Sequence, residues 1–329
     1  MKKILFLLSL ILLLAACGKT SEEAQSIDND DSNLQVYTTV YPLTYFTERI
    51  GGDFVEVQSI YPAGSNEHTF EPTQQDMIKL ADADLMFSIG LGLEGFIDNA
   101  KKTLENENVE FVATADQITD EDLEAALGHQ EDAHEEDVVE DEHAEEAESH
   151  DGHDHGSTDP HVWMSPVLSQ KLVESIKGSL VKADPENAEV YESNYTELII
   201  ELENLDRSFD SLAERVSKDT FFVSHAAFGY LSEPYGFKQI AIAGLNSQNE
   251  PSQKELTEIV DLAKEYDLQY IVFEQNVSSN LTQVIQKEVG AEAIEMHNLG
   301  VLTQENIDNE ETYFTLMEKN LQVLETILK

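Results

Sequence analysis

The stretch at residues 185–217, PENAEVYESNYTELIIELENLDRSFDSLAERVS, decides how this chain is divided. Tyr191, Tyr195, Leu198, Leu202, Leu205, Phe209, Leu212 and Val216 recur at spacings of three and four, the period of one helix face. Asp184-Pro185 is a helix-start pair, with a capping side chain ahead of a proline suited to the first turn. The pattern predicts one amphipathic helix of roughly 30 residues, about 45 Å long at the α-helical rise. On either side of it, short β-rich runs alternate with helical patterns. A helix of this length in such a chain reads as a rod joining two lobes.

Upstream, LQVYTT (34–39), VEVQSI (55–60), DLMFSI (84–89) and VEFVA (109–113) are strand candidates. Helical stretches follow from near Pro42, over 72–83 and over 93–105. Downstream, FFVS (221–224), QIAIA (239–243), YIVF (270–273) and EAIEM (292–296) repeat the rhythm, with helices expected over 252–266, 278–289 and 313–328. Strands separated by helices of this length indicate βαβ units and mainly parallel sheets. The expected fold class is therefore α/β. An N-terminal lobe spans 34–165, a helical segment over 166–217, started by Ser165 as cap and Pro166 in the first turn, holds the long helix, and a C-terminal lobe spans 218–329. A chain of 329 residues can support a core in each lobe.

The formal charge of −47, with only 19 Lys and Arg, excludes nucleic acid as a partner, because a phosphate backbone needs basic patches. The chain begins with Lys2-Lys3, an apolar run from Ile4 to Leu14 too short to span a bilayer, and the small residues Ala15-Ala16 before Cys17. This resembles a bacterial lipoprotein signal, with Cys17 as the lipidated residue. Cys17 is the only cysteine, so no internal disulfide can form. Residues 18–33 read as a flexible tether. The expected location is the outer face of a cell membrane, of Gram-positive type, with attachment through lipid.

The βα rhythm stops at Thr119. From Asp120 to Asp159 there are 18 Asp or Glu, six His and no Lys or Arg. Such composition cannot bury enough apolar surface to offset ordering entropy, so residues 120–158 read as a disordered acidic, His-rich insertion. Its His129, His134, His143, His150, His153 and His155 read as a weak accessory metal trap or as incidental members of a linker. His161, in DPHVWMSP, stands where order resumes.

Three histidines outside that segment occupy comparable places in the βα scheme. His68 lies in the loop after the second strand, His161 in DPHVWMSP, and His225 just after 221–224. Open parallel sheets bind ligands beyond the carboxyl ends of their strands, so these residues can converge. Their separations of 93 and 64 residues match no local metal signature, and spacing alone does not assign a site.

The combination of EHTFEPTQQDMIKLADADL, DPHVWMSP, FFVSHAAFGYL followed by Gly244-Leu245, and YIVFEQNVSSN resembles the metal-binding lipoproteins of bacterial zinc and manganese ABC importers. The likeness is to the ZnuA/AdcA-like branch of the cluster A-I solute-binding proteins, and it runs from Leu34 to Lys329 apart from the insertion. It implies two α/β lobes joined by a long helix, a cleft that closes modestly on one metal, and His68, His161 and His225 as ligands. A monomer that delivers Zn²⁺ to an ABC permease is the function implied. Three imidazoles with a carboxylate or water suit tetrahedral Zn²⁺ better than manganese, although copper and nickel also bind imidazole well. Protonation of the histidines sets an expected loss of affinity below about pH 6.5.

One departure concerns the fourth ligand. Gram-positive zinc relatives carry Glu in a stretch like NPLEGLT, whereas HNLGVLT (297–303) places Gly300 there. Glu67 or water is the expected substitute; Glu274 and His297, beside strand candidates, are either further donors or polar residues of the cleft rim. Manganese or another divalent metal, and a surface adhesin, are the alternative functions. A three-histidine zinc hydratase is a third class, against which stands the lack of GxSxG, HExxH or a carboxylate pair.

Overall fold

The strand candidates all form, each within a residue of its expected bounds. The structure, a computed structural model, describes residues 33–127, 158–247, 251–275 and 280–329. Cys17 and the six histidines between 129 and 155 lie outside the described residues, so those assignments stand as sequence readings.

In the first sheet β1 (Leu34–Thr38), β2 (Val55–Ser59), β3 (Leu85–Ser88) and β4 (Glu110–Ala113) run parallel in the order β2-β1-β3-β4. The second repeats that order with β5 (Thr220–His225), β6 (Lys238–Ala243), β7 (Tyr270–Glu274) and β8 (Glu292–Met296), as β6-β5-β7-β8. The strand order reverses direction between the first and third strand of each sheet, which opens a crevice at their carboxyl ends.

Eleven helices connect the strands among the described residues: α1 (Tyr41–Gly51), α2 (Gln74–Ala81), α3 (Ile97–Thr103), α4 (Asp120–Leu127), α5 (Pro166–Ala183), α6 (Ala188–Ala213), α7 (Gly229–Ser232), α8 (Gln253–Glu265), α9 (Asn280–Val289), α10 (Gln304–Asp308) and α11 (Tyr313–Ile327). Ser165 caps α5 through Leu168 N–H at 3.2 Å, with Pro166 in the first turn. Helix α6 is the long rod, slightly shorter than its pattern. Pro185–Asn187 forms a 3₁₀ turn instead of the first α turn, and the helix proper has 26 residues. Tyr191, Leu198, Leu202, Leu205, Phe209 and Leu212 bury its apolar face.

The acidic segment begins later than its composition suggests. Helix α4 occupies Asp120–Leu127, where disorder was expected. Thr119 and Asp122 exchange hydrogen bonds at its start, 2.8–3.1 Å long, and three acidic residues sit in its first turn, where the helix dipole favours negative charge. Leu123 and Ala126 are buried.

Residues Asn33–Lys329 form one compact unit. Its main apolar core runs through both lobes, so the lobes do not have wholly separate cores. Trp163, Tyr191, Phe209 and Tyr313 are fully buried members of it, while Phe222, Ile242, Ala263, Ile271, Ile285 and Ala291 form a smaller cluster against α8 and α9. Several hydrogen bonds cross between the lobes. Tyr41 N–H donates to Gly300 O and Gly64 N–H to Leu302 O, both at 2.9 Å, and Trp163 Nε1–H donates to Asn298 O at 2.7 Å. No helix among the described residues is long and apolar enough to cross a membrane.

Candidate metal centre

The carboxyl ends of the two sheets face the same crevice, and they deliver the three histidines to it. His68 comes from the loop after β2, turned by Asn66, whose Oδ1 accepts the His68 backbone N–H at 3.0 Å. His161 precedes the 3₁₀ turn Val162–Met164. His225 is the last residue of β5 and not the first of the following loop. One ring nitrogen of each lies within 4.8 Å of the others, and among the described residues no further His, Cys, Asp or Glu joins this group. His68 Nε2 and His161 Nε2 are 3.3 Å apart. The ring centres stand 5.0–5.2 Å from one another with planes 63–86° apart, so the imidazoles present edges to a shared point.

Two of the three are held from behind by carboxylates. Asp159 Oδ1 accepts from the His161 backbone N–H at 2.9 Å and lies 2.7 Å from its Nδ1. That contact places the proton on Nδ1 and turns the Nε2 lone pair to the centre. Glu274 Oε2 lies 3.0 Å from His225 Nδ1, and Ser224 Oγ donates to Glu274 Oε1 at 3.1 Å. On its other side, His225 Nε2 is 2.9 Å from Leu245 O. His161 and His225 are fully buried, while His68 is partly exposed on the solvent side.

These surroundings separate the proton affinities. Burial, with the neighbouring imidazoles, lowers the His68 pKa to about 3, leaving a free lone pair at neutral pH. Burial alone would also lower His225, but the bond to Glu274 and the Leu245 carbonyl outweigh it and raise the value to about 8.

The other polar candidates are committed elsewhere. His297 accepts Leu299 N–H on Nδ1 at 2.7 Å and holds Asn306 Oδ1 through Nε2 at 3.2 Å, so both nitrogens serve the loop. Leu299 within that loop adopts a left-handed backbone (φ 59°). Glu274 orients His225. Glu67 is buried beside the trio, where burial raises its pKa, and its Oε1 accepts from Asn298 Nδ2 at 2.8 Å. Gly300 carries no side chain, and a Cβ there would stand 2.7 Å from Glu67 Oε1. The Glu67 carboxylate fills the space that a side chain at position 300 would need.

The model of the zinc-uptake complex component A, periplasmic (ZnuA), matches residues 36–327 of this chain. This chain belongs to the ZnuA family. It is 37% identical over 317 residues to the high-affinity zinc uptake system protein ZnuA of Bacillus subtilis, covering 96% of this chain and 94% of that one. To the zinc-binding lipoprotein AdcA of Streptococcus pneumoniae it is 34% identical over 330 residues, which covers 98% of this chain but 60% of AdcA. The chain thus spans about three fifths of the length of AdcA. The crystal structure of the Zn(II)-bound ZnuA-like domain of that protein superposes with a TM-score of 0.70 at 31% identity, covering 90% of this chain and 99% of the domain.

Sequence reading of this ZnuA-family chain found the three histidines but neither Asp159 nor Asn298. Asp159 had a usable signal, since Asp two residues before His, in DPH, permits the turn observed. Glu274 had another. Strands β5 and β7 pair Val223 with Val272, so continuing the register sets His225 beside Glu274. Nothing near Asn298 announces its role.

Proposed function

We propose that this chain is an extracytoplasmic zinc receptor, held to the membrane through lipid on Cys17, that captures Zn²⁺ in the crevice and passes it to an ABC permease. The observation that carries this reading is the convergence of His68, His161 and His225, drawn from both lobes, on one point. Three neutral nitrogen donors favour zinc over manganese, which prefers more oxygen. Asp159 and Glu274 fix the rings of His161 and His225 and strengthen them as donors. Both carboxylates are engaged in that orientation, which favours binding over hydrolytic chemistry, where one would be needed as a base.

His225 must give up its contact with Leu245 O to offer Nε2 to a metal. Capture therefore involves the loop after β6 as well as the histidines. The fourth position falls to water, since Glu67 is bonded to Asn298. His129, His134, His143, His150, His153 and His155 supply weaker accessory donors for zinc.

Titration of metal-free protein with Zn²⁺ and Mn²⁺ tests the reading. One tight zinc equivalent is expected, with manganese weaker. His68→Ala, His161→Ala and His225→Ala should each lower zinc affinity by more than the roughly 10–100-fold typical of losing an outer partner. Wild-type affinity in all three variants would refute the assignment.

A further inference from the structure

Three imidazoles leave one position open on a tetrahedral ion, and two buried carboxylates, Glu67 and Glu274, flank the histidines. Glu274 is held by Ser224 and His225. Glu67 is the freer of the two, one residue from His68 and only 3% exposed, yet it does not join the trio. Asn298 keeps it there. Its Nδ2 donates to Glu67 Oε1 at 2.8 Å and to Glu274 Oε2 at 3.1 Å, so one amide nitrogen serves both carboxylates.

The direction of that amide is determined by its own partners. Gly300 N–H donates to Asn298 Oδ1 at 3.0 Å, which leaves only the NH₂ end to face the carboxylates. The Asn298 backbone is anchored too, because its carbonyl accepts from Trp163 Nε1. The absent side chain at Gly300 provides the room in which the Glu67 carboxylate sits. A buried carboxylate without a donor is costly, so Glu67 will leave Asn298 only for a partner of comparable strength.

We infer that Asn298 is a positioning residue that restrains Glu67 from the three-histidine centre and so reserves the fourth position on zinc for exchangeable water. The inference rests on the zinc reading above. It makes ion retention depend on a side chain that never touches the ion. With Asn298 shortened, Glu67 loses its side-chain donor, and zinc held by the adjacent His68 offers a replacement.

The test compares wild type, Glu67→Gln, Asn298→Ala and the double variant. Two quantities are read: the rate of zinc loss to a chelator, and the visible absorption of the Co²⁺-loaded protein, which reports the ligand set. Wild type and Glu67→Gln should share a cobalt spectrum and lose zinc at rates within about threefold, while Asn298→Ala should change the spectrum and slow zinc loss about tenfold. Adding Glu67→Gln to Asn298→Ala should restore both. If Glu67→Gln alone alters the spectrum and speeds zinc loss about tenfold, Glu67 is already a ligand and the inference fails. An Asn298→Ala effect that persists in the double variant overturns it as well. Should Asn298→Ala not fold, Asn298→Ser replaces it in both comparisons, and the wild-type and Glu67→Gln pair can still overturn the inference. Undiminished zinc binding by His68→Ala, His161→Ala and His225→Ala alike would instead sink the zinc reading itself.

Discussion

His225 Nε2 lies 2.9 Å from the carbonyl oxygen of Leu245, while its Nδ1 lies 3.0 Å from Glu274. Both nitrogens can donate at once only in the imidazolium form, and the pKa of about 8 agrees with that. Zinc needs the Nε2 lone pair, so below pH 8 it must displace a proton. The raised value makes the proton a competitor below about pH 8, and the competition fades above it. Calorimetry in buffers of different ionisation enthalpy should find about one proton released per zinc near pH 7 and almost none above pH 9. Affinity should weaken about tenfold, or 1.4 kcal/mol, for each unit below 8. This moves the expected onset upward from 6.5, the ordinary imidazole value. An onset unchanged by Glu274→Gln would show that Glu274 does not set it.

Asp159 makes a separable prediction. The Asp159→Asn variant keeps the shape and one acceptor but removes the charge behind His161. Zinc affinity should fall about 10–100-fold, with the helical circular dichroism unchanged. A chelator competition assay reads the first quantity, and an affinity equal to wild type would remove Asp159 from the site.

A side chain at position 300 and the Glu67 carboxylate exclude each other sterically. Gly300→Ala would put a Cβ 2.7 Å from Glu67 Oε1 on a backbone pinned through N–H to Asn298 and through O to Tyr41. The side chain of Glu67 must then yield, at an expected cost of about 1–3 kcal/mol in denaturant unfolding. Combined with Glu67→Ala, most of that cost should vanish, so the two substitutions should be strongly non-additive. Additive costs would show that the crowding lies elsewhere.

The boundary of the acidic segment can be tested by deletion. Removing residues 128–157, with a short glycine joint, should preserve the fold and one tight zinc equivalent while eliminating weaker ones. Extending the deletion back to 120 also removes Leu123 from the core, a loss comparable to the roughly 2–5 kcal/mol of a buried Leu→Ala change. Thermal melts of the two deletions should therefore differ. Equal melting temperatures would mean that α4 adds nothing to stability.

What could be read in the sequence followed the range of the physics involved. Strand and helix periods are local, and they located β1 to β8 and α6 well. The helix start at Ser165-Pro166 is equally plain. Helix α4 is masked by the charge of the segment it opens, although Thr119, Asp122, Leu123 and Ala126 together spell a short amphipathic start. His68, His161 and His225 were visible through family motifs, since residues so far apart carry no signature of their own. The Asn298 clamp and the Gly300–Glu67 exclusion join residues from opposite ends of the chain, and only the packed structure brings them together.

The three histidines also bear on how the chain acquires its cargo. No single element or short fragment contains the centre, because it draws on a loop of the first sheet, the segment before α5 and a strand of the second sheet. Closing such long loops is entropically unfavourable until the surrounding core has formed, so the centre is completed late in folding. The nascent or denatured chain thus has no equivalent place for the ion. Zinc bound at the three-histidine centre stabilises the folded form, by at most about 4 kcal/mol at a thousandfold excess over its dissociation constant. Since the donors come from both lobes, neither lobe can melt on its own without releasing the ion, and loading should weld their unfolding into a single step.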